Sequence, residues 1–182
     1  MSRRKIGRWA LPLLLVAAAC VQATPASATT FSGSCHLTGH VDYEQPLTLI
    51  LSPKDFQSYL SGTCTGTLDG KAYDGPASSY TDGRMGQPAS CLAGEGREML
   101  SVLQFGGSPG DVDAVRLDNY TTLDVNVLNV APFAWRGAYN GQGVGQASVA
   151  NGGQEQFQQC AGPGLSRIDI DVQESTVTPM YG

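Results

Sequence analysis

Apolar and polar residues alternate with the two-residue period of a strand along most of the chain, and long helical periodicity is hard to find. The clearest run lies near the C-terminus. There Ile168, Ile170 and Val172 alternate with Asp169, Asp171 and Gln173, which predicts a strand with one buried and one wet face. Residues 31–51 predict a hairpin, with Cys35, Leu37, Gly39, Val41 and Tyr43 on one face of its first arm and Leu47, Leu49 and Leu51 on one face of its second. Ser52-Pro53-Lys54-Asp55 carries helix-start signals, so at most two helical turns are expected through Phe56, Tyr59 and Leu60. A strand then runs to Leu68, and Asp69-Gly70 forms a hairpin turn because both residues tolerate positive φ.

Residues 74–97 carry no clear period and predict a long irregular loop pinned by Cys91. Met99 to Phe105 reads as a strand again. Val112–Leu117, Thr121–Val130 and Phe133–Tyr139 are further strands, with a slip of apolar phase between Val127 and Leu128 that suggests a bulge. Asn140-Gly141 predicts a hairpin turn into Gly143–Val149. One short helix is expected over 153–159, stopped by Gly162-Pro163-Gly164. The fold expected from this pattern is all-β: a single antiparallel β-sandwich or barrel of about eight to ten strands, two disulfides, and at most one or two short helices.

The N-terminal segment changes the picture of where this domain folds. Arg3, Arg4, Lys5 and Arg8 precede an apolar core from Leu11 to Ala19, and Ala26-Ser27-Ala28 suits signal-peptidase cleavage before Thr29. Residues 1–28 are thus expected to be a removed signal peptide and 29–182 a single secreted β domain. A minor alternative is lipid anchoring through Cys20, behind the small residues Ala18 and Ala19. The apolar stretch is too short for a membrane span.

Four of the 11 basic residues fall in this leader, leaving 7 against 16 acidic ones, a net charge of −9. That balance argues against nucleic acid and anionic membrane surfaces as partners. In an oxidising compartment Cys35, Cys64, Cys91 and Cys160 read as two disulfides. Three connectivities are open; the preferred one joins Cys35 to Cys64 between early strands and Cys91 to Cys160 between two loops.

No motif assembles a catalytic or metal centre. The cysteines are 29, 27 and 69 apart, with no C-x-x-C pair for zinc. His36 and His40 lie on a predicted strand, where four residues span roughly 13 Å. Asp69, Asp74, Asp82 and Glu95 lie in or beside the long loop as candidate carboxylates, but nothing marks two as a pair for glycoside cleavage. Asp111, Asp113 and Asp118 offer oxygens for calcium without the rest of a calcium loop. No catalytic residue, metal or cofactor is therefore expected. The aromatic residues Tyr73, Tyr80 and Trp135 are the candidate ligand-binding set, because ring faces stack on the apolar faces of sugars. Asn119-Tyr120-Thr121 matches the N-glycosylation acceptor pattern.

With SGSCHLTGHVDYEQPLTL, GTCTGTLDG and FQQCAGPGL in view, the chain resembles a group of small secreted four-cysteine proteins of high-GC Gram-positive bacteria. The resemblance implies a secreted, disulfide-bonded β fold and nothing about catalysis. The expected function is a non-catalytic binding role outside the cell, toward a glycan, a cell-wall component or a protein. The alternatives are an extracellular hydrolase using loop carboxylates and a protease-inhibitor-like protein with a rigid loop held by Cys91.

Overall fold

The computed structural model describes residues 28–84, 88–106, 115–125, 131–150 and 154–182. The predicted leader, Cys20 included, lies outside them up to residue 27. Among the described residues eight strands follow one another in chain order: β1 (Thr30–Leu47), β2 (Asp55–Leu68), β3 (Lys71–Arg84), β4 (Gly94–Phe105), β5 (Val115–Val125), β6 (Ala131–Gly137), β7 (Asn140–Val149) and β8 (Leu165–Tyr181), with one helix, α1 (Gln154–Ala161), before the last. Each strand pairs antiparallel with the next, and β8 returns to pair with β1 from Leu47↔Leu165 to Thr30↔Tyr181. The result is a closed barrel rather than a sandwich, and closure removes the exposed edges of an open sheet.

Period-2 patterning dictates most of this. In β1 the side chains of Phe31, Cys35, Leu37, Val41 and Tyr43 are buried, as are Ile168 and Val172 of β8. The β2–β3 hairpin turns at Asp69 and Gly70, both with positive φ. Helix α1 ends where expected, the Gln159 carbonyl accepting from the backbone N–H groups of both Gly162 and Gly164.

Four stretches differ from the sequence expectation. Residues 31–47 form one long strand, and Leu49, Ile50 and Leu51 are exposed in the connection that follows. Glu44-Gln45 lacks the positive-φ chemistry of a tight turn, so β1 finds its partner in β2 instead. The helix expected near Phe56 is strand: Phe56, Ser58 and Leu60 alternate into the interior, and pairing with both β1 and β3 overrides a local cap signal. Most of 74–97 is not loop. β3 continues to Arg84 and β4 starts at Gly94, because inward positions held by Ala77, Ser79 and Thr81 hide the apolar alternation. Finally, β5 is a single strand through Val115–Val125; the expected bulge after it lies outside the described residues.

Both disulfides match the preferred pairing. Cys35 and Cys64 are directly opposite on β1 and β2, and the bridge is buried inside the barrel. Cys91, in the β3–β4 connection, is tied to Cys160 of α1. This second bridge clamps the helix over one barrel mouth. Two apolar clusters fill the interior. One, at that mouth, holds Tyr43, Leu47, Phe56, Met99, Leu165 and both cysteines of the clamp. The other, at the opposite mouth, holds Phe31, Leu37, Phe105, Leu117, Trp135 and Met180.

Candidate functional site in the barrel interior

Where the two clusters meet, apolar packing gives way to a cavity of about 70 Å³. An eight-stranded barrel has an interior just wide enough to be filled by side chains or to hold one small ligand. Here small polar residues at inward positions keep part of it open. Ser58 on β2, Ser79 and Thr81 on β3, Ser101 on β4, and Asn119 and Thr121 on β5 line one wall.

Three of these form a row across neighbouring strands. Thr81 Oγ1 and Ser101 Oγ are 2.8 Å apart, and Ser101 Oγ and Thr121 Oγ1 are 3.0 Å apart. The Thr121 hydroxyl also donates to Asn119 Oδ1 at 3.3 Å. A buried polar row persists because its members satisfy one another; hydroxyls left alone at these positions would each carry the full desolvation penalty.

The facing wall is different. Phe133 and Trp135 of β6, Ala147 of β7, and Ile170, Val172 and Glu174 of β8 line it. The two aromatic rings fit because β7 supplies glycine opposite them. A Cβ on Gly143 would lie 2.1 Å from Trp135 Nε1, and one on Gly145 would lie 2.3 Å from Phe133 Cζ. Glu174 sits beside Gly145 on one side and Cys35 on the other, so no side chain on β7 covers its carboxyl. Among the described residues it has no hydrogen bond and no ion pair. Glu174 is half-buried and also borders a second, more open hollow that it shares with His36, yet burial pushes its carboxyl up to about 8. Glu174 is the one ionisable residue among those lining the cavity.

The residues singled out from sequence do not converge here. Trp135 lines the cavity and is buried. Tyr73 packs edge-on against Phe105 at the far mouth, its hydroxyl donating to the Pro76 carbonyl. Tyr80 points outward, on the opposite side of the wall from Trp135. It joins Tyr59 and His40 in a row of rings across β3, β2 and β1, with centroids 5.1 Å and 5.6 Å apart.

The histidines serve the outer face too: His36 Nε2 is 3.0 Å from Asp171 and His40 Nε2 is 3.5 Å from Asp42. Asp42 also accepts two bonds from Arg167, which, as the main cause, hold its carboxyl below the usual range. Of the acids considered earlier, Asp69 accepts from the Thr30 backbone in the β2–β3 turn, and Asp118 pairs with Arg116 at 3.7 Å. Asp111 and Asp113 lie outside the described residues. No cluster of three metal-ligating side chains occurs among the described residues, and no helix among them is long and apolar enough to cross a membrane.

Asn119 of the glycosylation pattern is turned into the barrel and buried. Glu174 escaped the sequence reading, although a signal was present. It continues the inward series Ile168, Ile170, Val172 by two residues, which marks it as a carboxyl on a buried face.

No family model, no curated protein and no solved structure matches the chain.

Proposed function

We propose that this is a secreted, non-catalytic binding protein that holds a small molecule inside its barrel. Secretion rests on the charged and apolar leader pattern of residues 1–28 and fits two disulfides in so small a domain. Binding rests above all on one observation: an otherwise packed barrel keeps a cavity lined by an unpartnered carboxyl, Glu174. Leaving a polar group unpaired in an interior is costly, and a carboxyl perturbed by burial in a cleft is a candidate for a functional site. A single carboxyl also favours binding over glycoside cleavage, which needs two across the scissile bond.

The protease-inhibitor reading gains no support from the segment that Cys91 holds. Ala89, Ser90 and Cys91 are buried, and Ala89 bridges to Ser52, so this stretch packs against the barrel end instead of projecting. One observation favours a second reading, glycan binding on the outer wall. The row His40, Tyr59, Tyr80 offers ring faces at neighbouring strand positions, with Gln57 bonded to the Tyr59 hydroxyl beside it.

The two readings separate in one experiment. The oxidised domain, uniformly ¹⁵N-labelled, is titrated with pools of small metabolites and with soluble wall oligosaccharides while amide shifts are followed. The interior reading expects shifts centred on Ala147, Val172 and Glu174 with a small molecule. Shifts confined to outward residues around Tyr59 and Tyr80, abolished by Tyr59→Ala with Tyr80→Ala, would replace it with the glycan reading.

A further inference from the structure

The chemistry of the cavity narrows its ligand, given that the interior is the binding site. Among the described residues, Glu174 is the one ionisable residue lining it. The strands beside Glu174 bring no positive group to it. Gly145 and its neighbours Val144 and Gln146 on β7 are uncharged, as are Gln173 and Ser175 on β8. His36, next to Cys35 on β1, points outward to Asp171. A metal ion would need several oxygen or nitrogen ligands converging on it, whereas the cavity offers one carboxyl and, on the facing wall, hydroxyls already bonded to one another. An anion would find no counter-charge there among the described residues.

An organic cation is served by everything else in the cavity. Its charge finds Glu174, its remaining N–H groups find hydroxyl oxygens of the Thr81, Ser101, Thr121 row, and its carbon skeleton meets the rings of Phe56, Phe133 and Trp135. The net charge of −9 behind the leader raises the local concentration of cations around the barrel. A cavity of about 70 Å³ admits a group of roughly five heavy atoms, since one water occupies roughly 10–15 Å³ on this measure.

We propose that the barrel interior binds a small aliphatic amine as its ammonium cation, ion-paired to Glu174 between the hydroxyl row and the aromatic wall. The proton count of this step is fixed. The empty site carries Glu174 as the neutral acid near neutral pH, because burial raises it to about 8. The ammonium enters with its own proton and the carboxyl gives up one to the buffer, leaving carboxylate against ammonium. A neutral ligand leaves that proton in place.

Trp135 reports on the site directly, being the one tryptophan after the leader. Isopropylamine and its neutral counterpart isopropanol are titrated into the oxidised domain at about pH 6. Trp135 fluorescence is followed, and calorimetry is run in phosphate and in MES, which both buffer near pH 6 and whose ionisation heats differ. The expected result is saturable binding of the amine with about one proton released, falling toward none above about pH 9. Isopropanol is expected to bind at least tenfold more weakly, and Glu174→Gln to remove the preference for the amine.

If the two probes bind equally and without proton release, the cavity is the ligand site but its ligand is not a cation. If neither probe nor dissolved xenon changes Trp135 fluorescence or interior amide shifts, the interior is closed to ligands and both readings fall. Should Glu174→Gln not fold, the buffer dependence of the wild-type heats decides by itself.

Discussion

Trp135 and Gly143 face each other across the β6–β7 pair, and the indole lies so close that a methyl group on Gly143 would stand 2.1 Å from Nε1. The ring edge occupies the space a side chain would take. Trp135 Nε1 is buried there without a hydrogen-bond partner among the described residues.

Gly143→Ala is therefore expected to destabilise the barrel by about 1–3 kcal/mol, the usual result of inserting a methyl into a packed interior. Gly106→Ala is a useful contrast. Its positive φ strains a side chain too, but nothing lies within 4 Å of the new Cβ. Only the Gly143 variant should shift Trp135 fluorescence, and chemical denaturation followed by that signal measures both.

Glu174 links stability to pH. Its carboxyl titrates near 4.5 in the unfolded chain and at about 8 in the barrel. Between these values the native state keeps a proton that the unfolded chain has lost. The stabilisation is fully present below about pH 4.5 and disappears as pH rises toward 8, by an amount on the order of a few kcal/mol. Glu174→Gln is expected to flatten this slope and to be the more stable protein at pH 8. Denaturation midpoints at a series of pH values test it; parallel curves for the two proteins would show that Glu174 is solvated.

The two disulfides should differ in what they hold. The Cys35–Cys64 bridge closes a separation of 29 residues and the Cys91–Cys160 bridge one of 69. Chain entropy predicts losses of about 3–4 kcal/mol for the first and about 4–5 kcal/mol for the second when each pair becomes serine. Removing the second bridge should also free α1, which touches the barrel mainly through β8. Hydrogen exchange should then rise selectively over 154–161 while the strands stay protected.

Asn119 lies in an acceptor pattern but is buried, its amide bonded to the Leu117 carbonyl at 3.4 Å. A glycan there cannot coexist with the closed barrel. When the chain is secreted from a glycosylating host, the folded fraction should carry unmodified Asn119 by intact-mass analysis. Asn119→Asp is expected to lower stability, since it puts a second carboxyl beside the cavity.

The parts of this fold that could be read along the chain are those whose cause is local. β8 shows its alternation in Ile168, Ile170 and Val172. The β2–β3 turn shows itself in Asp69-Gly70, and the end of α1 in Gly162 and Gly164. β3 was hidden because the barrel interior is partly polar. Ser79 and Thr81 occupy inward positions, and Ser101 does the same in β4, so polarity no longer tells inside from outside. The turn after Tyr43 was misplaced because the partner of β1 is chosen by thirteen register pairs with β2, beyond the reach of any local signal.

From its residues alone the chain determined that it is a β protein with four paired cysteines and a short helix ahead of Gly162-Pro163-Gly164, because strand period, turn chemistry and thiol count are properties of neighbours in sequence. Closure of the sheet was decided only by β1 meeting β8, as in the contact of His36 with Asp171 across 135 residues. That closure also turned an ordinary-looking acid, Glu174, into a half-buried one facing a hydroxyl row from three other strands. Alternation tells each strand which face is inside; what waits there depends on how tilted strands come into register around a barrel, and no single strand encodes that.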